Sequence, residues 1–295
     1  MGFIKALGNT FYYEEQGDGP PILLIPPAGS TASTWGALAG ELAGAGRVIA
    51  YDRRGYTRSG GEVVRSASAH ARDAAAVLEA LEAGPAVAVG TSAGAAIALE
   101  LAVRRPDLVR AVVVHEAPWR ALRHASASGL GTLARMQWLA WRGRYGEAAE
   151  TLLRWVYAYR DGGSAWDAFP QQWRQTAREN GRSVVADLQA TLGGHPRAQE
   201  LATITAPVVC TYGSRSRSYM RSGHTRAGPG HPNGKRARNR RDRSRRPIRR
   251  AGQLRPGHRR SDALIGGAFG HLRFPPGEGV LGWMPSGRVR RYQRG

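Results

Sequence analysis

Cysteine is nearly missing: the 295-residue chain has one, Cys210, so an internal disulfide framework is excluded. That residue lies in the apolar run 206–212, where a buried thiol behaves as a small hydrophobe. Also missing is any unbroken apolar stretch of the roughly 18 residues that a membrane-spanning helix requires. Residues 1–10 carry neither a basic leader nor an apolar segment behind it, which sets the expectation of an unexported, cytoplasmic protein with no membrane partner. Acidic residues all but vanish from the last quarter. Residues 215–295 hold 22 Lys and Arg against 3 Asp and Glu, whereas residues 1–214 hold 21 against 19. The formal net charge of +21 is therefore a property of the tail, and the chain reads as two differently composed pieces.

The first piece alternates short apolar runs with helical patterns, the signature of an α/β fold with a mostly parallel sheet and helices on both faces. Strands are expected at 11–16, 22–25, 48–51, 86–89, 109–114 and 208–212, aliphatic or β-branched runs mostly bounded by Gly, Pro or charge. Alanine-rich helices are expected at 69–83 and 93–104, where apolar residues recur at three- and four-residue spacing. Between 119 and 198 no strand pattern occurs, yet six of the eight tryptophans fall there. A helical cap of that composition either covers a pocket and sheds water from it or is glued to the body by its indoles. The expected organisation is a core (1–118), a helical cap (119–198), a returning core strand (199–220) and a basic tail (221–295). Nine of the fifteen residues 236–250 are arginine, so the tail cannot build a core and is expected to be irregular or disordered.

One motif carries chemistry. Gly90-Thr91-Ser92-Ala93-Gly94 follows the apolar run 86–89 and precedes the alanine-rich helix. A serine on a strained strand-to-helix turn projects its hydroxyl above the sheet, and only small neighbours let that turn close. Gly90, Gly94 and Ala93 meet the requirement. The start of the helix behind Ser92 also directs N–H groups at an oxyanion formed beside it.

In this context the sequence resembles the alpha/beta hydrolase family from about residue 10 to residue 214. Ile22 to Ile25 followed by Pro26-Pro27-Ala28-Gly29-Ser30 is similar to the family's strand and oxyanion loop, with Pro26-Pro27-Ala28 where the family often has His-Gly-x. The resemblance implies backbone donors at Ala28 and Ala93. Proline at 27 leaves the donor at Ala28 untouched. Asp52-Arg53-Arg54-Gly55-Tyr56-Thr57-Arg58-Ser59 resembles the family's D-x-R-G-x-G-x-S turn, with Thr57 replacing the second glycine. Asp52 and Arg54 are expected to be scaffold, as a buried turn ion pair.

A serine hydroxyl needs a histidine to take its proton, and that imidazole needs a carboxylate to orient it. The family places the acid after the strand that follows the cap, or less often after the strand that precedes it. At the first place stands Gly213-Ser214-Arg215, with no carboxylate; at the second stands His115-Glu116-Ala117, so Glu116 is the candidate acid. The expected histidine near the C-terminus is missing, and His271, in Gly270-His271, is a poor stand-in with no strand pattern before it. The tail from about 221 departs from the family and reads as a shifted frame, because CGN arginine codons read one base later encode Ala, Gly, Val, Asp or Glu. The resulting expectation is a carboxylic ester hydrolase acting on a small, apolar ester or lactone through an acyl-serine, with no metal and no organic cofactor, impaired by loss of its histidine. The alternatives are a non-catalytic hydrolase-like scaffold and a polyanion binder whose tail engages nucleic acid without sequence preference.

Overall fold

All six apolar runs become strands of one sheet. A computed structural model describes residues 1–118, 126–159, 162–193, 196–212, 279–283 and 289–292. The strands are β1 (Gly2–Ala6), β2 (Asn9–Gln16), β3 (Pro21–Ile25), β4 (Arg47–Tyr51), β5 (Ala86–Thr91), β6 (Val109–His115), β7 (Val208–Tyr212), β8 (Gly279–Trp283) and β9 (Val289–Tyr292). Their order is β1-β2-β4-β3-β5-β6-β7-β8-β9. Strands β4, β3, β5, β6 and β7 run parallel, β1 and β2 close one edge as an antiparallel pair, and β8 and β9 pair antiparallel beyond β7. The β1 strand escaped the sequence pattern because it is a half-exposed edge whose Gly-Phe-Ile-Lys-Ala carries no continuous apolar run.

Why the central runs are apolar without alternation follows from burial on both faces. In β3, Leu23 and Ile25 belong to one core with Ile49 and Tyr51 of β4 and Val112 and Val114 of β6. Ile22, Leu24, Val48 and Val87, of the opposite parity, are buried as well. Helices α1 (Gly36–Leu42), α2 (Ala67–Ala80) and α3 (Ala93–Arg104) follow β3, β4 and β5. Helices α2 and α3 offer alanine to the sheet, including Ala71, Ala74, Ala95 and Ala98, so their backbones approach closely. Cys210 in β7 is partly covered and packs against the same core, and burial pushes its thiol up to about 11.

Between β6 and β7 lie α4 (Ala127–Trp141), α5 (Tyr145–Val156), α6 (Ala165–Ala168), α7 (Gln171–Glu179) and α8 (Gly181–Gly193), with α9 (Ala198–Leu201) leading into β7. This helical segment has an apolar core of its own, in which Met136, Leu139, Leu152, Leu153 and Val184 surround Trp166. Of the described helices none is long and apolar enough to cross a membrane.

Candidate active site

Ser92 stands at the carboxyl end of β5, the middle strand of the nine, immediately before α3. Its backbone is at φ 51°, ψ −116°, a conformation L residues rarely adopt. Sterics around it explain the two flanking glycines. A Cβ on Gly90 would collide with the carbonyl oxygen of Gly94, and a Cβ on Gly94 would collide with that of Ile25. The second contact presses the first turn of α3 against the end of β3, next to the proline loop. The Ser92 N–H donates to the His115 carbonyl at 2.9 Å, fixing the bend to the end of β6. The Ser92 hydroxyl is half-buried, and among the described residues no hydrogen bond joins it to an imidazole.

Glu116 follows β6 directly, at φ 50°, with its N–H on the Thr211 carbonyl at 3.0 Å. One carboxylate oxygen lies 3.9 Å from His115 Nε2, while His115 Nδ1 meets the Thr211 hydroxyl at 2.9 Å. Nearby, burial and then the Glu116 carboxylate push the Tyr157 phenol up to about 12. The poor stand-in His271 and Gly213 to Arg215 lie outside the described residues.

After β3 the loop Pro26–Gly29 has a single N–H before Gly29, that of Ala28, because prolines occupy 26 and 27. Gly29 is at φ +78°, and a Cβ there would press on Leu153 at 2.9 Å. Ala28 and Gly29 line a cavity of about 90 Å³ together with Leu153, Tyr157, Phe169 and Trp173. No charged side chain lines it, and Ser92 is not among its lining residues.

The turn after β4 departs from its expected pairing. Asp52 does not pair with Arg54: it binds Arg58 (2.7 and 2.8 Å) and accepts the Ala32 N–H at 2.7 Å, while Arg54 reaches Asp73 on α2 at 3.0 Å. Arg53 is the residue that sequence reasoning missed. Fully buried, it binds Asp187 of α8 through two hydrogen bonds of 2.8 and 2.6 Å and donates to the Pro27 carbonyl at 3.2 Å. Tyr56 also donates to Asp187 and stacks against the guanidinium, 4.4 Å from ring centroid to Arg53 Cζ. Burial alone would raise the Asp187 carboxyl, but Arg53 outweighs it and holds the group below the usual carboxylate range. Thr57 keeps the positive φ of the glycine it replaces, +31°, and Asn180 brackets it by accepting its N–H at 2.8 Å and donating to its hydroxyl at 2.7 Å.

The family model for the alpha/beta hydrolase fold matches residues 20–204, more than half of the chain. The chain belongs to the alpha/beta hydrolase family. It is similar to the uncharacterized hydrolase YraK of Bacillus subtilis, 34% identical over 131 residues that make up 42% of this chain and 47% of YraK. It is 32% identical to the zearalenone hydrolase of Bionectria ochroleuca over 40% of this chain and 47% of that one. The matches thus span just under half the length of these curated relatives. Among solved structures, an alpha/beta hydrolase from Sphaerobacter thermophilus superposes with a TM-score of 0.64 at 23% identity, covering 79% of this chain and 90% of that one.

Proposed function

We propose that this alpha/beta hydrolase chain is built for acyl transfer from a small, apolar ester or lactone to Ser92. The observation that carries the reading is the Ser92 backbone, strained between two glycines whose absent side chains let β5 turn into α3. The hydroxyl attacks the carbonyl carbon, the oxygen that gains charge is held by the Ala28 and Ala93 N–H groups, and the C–O bond to the alkoxide then breaks, the serine proton ending on the departing alcohol. Glu116, beside the elbow, is the orienting acid of a base that the described residues do not supply. Where no imidazole takes the serine proton the oxyanion donors act alone, and acylation is then expected to be slow and turnover low. The cavity that Ala28 and Gly29 line carries no charged side chain, which supports a neutral substrate.

The test is incubation with p-nitrophenyl acetate followed by peptide mass spectrometry. Acetyl is expected on Ser92 in preference to every other serine, with little steady-state hydrolysis. Acetyl scattered over surface serines would leave a non-catalytic scaffold as the better reading, and brisk hydrolysis abolished by Ser92→Ala would show that the base is present after all.

A further inference from the structure

Arg53 is a fully buried charge, and the acyl-transfer scheme above gives it no task. Its two terminal nitrogens face two different elements. Both reach the Asp187 carboxylate on α8, at 2.8 and 2.6 Å, and Nη2 also donates to the carbonyl of Pro27, at 3.2 Å. That carbonyl accepts one further bond, from the Ser30 N–H at 3.3 Å. The peptide joining Pro27 to Ala28 is planar and trans, so its C=O and N–H point in opposite directions. Holding the Pro27 oxygen toward the buried guanidinium therefore turns the Ala28 N–H away from Arg53, and Ala28 is a residue that lines the cavity. Among the described residues this N–H has no acceptor. The Tyr56 hydroxyl, which donates to the same Asp187, stands 3.5 Å from the Gly29 N–H and supports the next peptide.

We infer that Arg53 is a positioning residue that aims the Ala28 N–H into the site through the Pro27 carbonyl, and that Asp187 of α8 holds Arg53 in place for it. The inference rests on the acyl-transfer reading. It adds that α8 and the oxyanion loop are mechanically one unit: withdrawing α8 would release the guanidinium from its anchor and leave the Pro27 carbonyl with only the local Ser30 bond.

Pro–Ala occurs in the sequence only at Pro27–Ala28 and Pro85–Ala86, so proline labelled at its carbonyl carbon together with alanine labelled at its nitrogen lights two amide resonances. The Ala86 signal reports that the β5 region is intact; the Ala28 signal reports the loop. In the full chain, Arg53→Lys keeps the charge for Asp187 but loses the fork that spans both acceptors. Should it fail to fold, the neutral pair R53M/D187N removes both charges together and avoids stranding either one. In the folded variant the Ala28 resonance should move, the Ala86 resonance should stay, and acetylation of Ser92 by p-nitrophenyl acetate should slow by roughly tenfold. An unmoved Ala28 resonance, or one that moves while Ser92 acetylates at the parental rate, overturns the inference. Failure of the acyl-transfer reading looks different: the parent protein itself does not acetylate at Ser92, whatever the Ala28 resonance does.

Discussion

Ser92 holds φ 51° and ψ −116° although glycine would adopt that conformation without strain. Keeping a hydroxyl at such a bend costs roughly 1–3 kcal/mol, which the surrounding packing must offset. Ser92→Gly is therefore expected to raise stability by about 1 kcal/mol, read as an upward shift of the urea midpoint, while removing acylation altogether. A lowered midpoint would mean that the serine is relaxed and that the elbow is not a strained site. Gly90 and Gly94 behave oppositely, since a methyl at either meets a backbone carbonyl that cannot move without shifting α3 or β3. Thr57 is a milder case: its positive φ is tolerated because Asn180 satisfies both its N–H and its hydroxyl.

Helix α8 meets the turn after β4 through a polar stripe rather than an apolar one. Asn180, Ser183 and Asp187, three and four residues apart, bind Thr57, Gly55 and Arg53 and are all buried. On the far side of Asp187 stands His70 of α2, also buried, 3.7 Å from Asp187 and 3.7 Å from Asp73, with Arg53 as the opposing cation. Desolvation dominates there, with Arg53 adding to it, and the His70 pKa lies below its ordinary value despite the two carboxylates. The unfolded chain then binds a proton that the folded one refuses, so stability falls as pH drops below about 6.5, by at most about 1.4 kcal/mol per pH unit from this group. Urea midpoints taken at neutral pH and again near the lower end of that window should converge in His70→Gln and separate in the parent. Parallel losses would assign the pH dependence elsewhere. Asp187 acts in a different window: its depressed carboxyl contributes stability above the ordinary carboxylate range, lost only in stronger acid.

None of the α8 contacts could be read along the chain. The elbow was legible because its strand, glycines and helix are contiguous, and α3 falls on the residues expected for it. Arg53 and Asp187 are 134 positions apart, and although Asp187 sits among Val184, Val185, Ala186 and Leu188, nothing local pairs it with Arg53. The Asp52–Ser59 motif was recognisable as a turn, yet Asp52 pairs with Arg58 near the other end of that turn and Arg54 with Asp73 on α2, which the motif alone does not reveal. Short-range geometry is written in spacing; the partners of buried charges are set by which helix the fold lays over them.

At the scale of the whole molecule, a nearly neutral piece, residues 1–214, of which 20–204 match the family model, is joined to a tail rich in arginine and poor in acidic residues. A single-base shift near residue 221 accounts for this economically. Read from the second base of each codon, Arg243-Ser244-Arg245-Arg246-Pro247-Ile248-Arg249-Arg250-Ala251 permits Gly-His-Ala-Ala-Pro-Phe-Asp-Ala-Pro, the kind of ending the family has, and Leu264-Ile265 permits a stop. Each CGN codon so read gives a small or acidic residue, which converts an arginine-rich run into an alanine-rich one and removes most of the tail's excess positive charge in the same step. Sequencing the gene across codons 215–265 should find that Gly-His in the neighbouring frame. Restoring the frame should then supply the imidazole that Ser92 lacks among the described residues and raise ester hydrolysis by several orders of magnitude, since loss of a triad member alone can cost on the order of a million-fold in kcat. A neighbouring frame without Gly-His between codons 221 and 264 would instead make the basic tail the protein's own, and its net charge of +19 would then be explained by a polyanionic partner, detectable as salt-dependent retention on heparin.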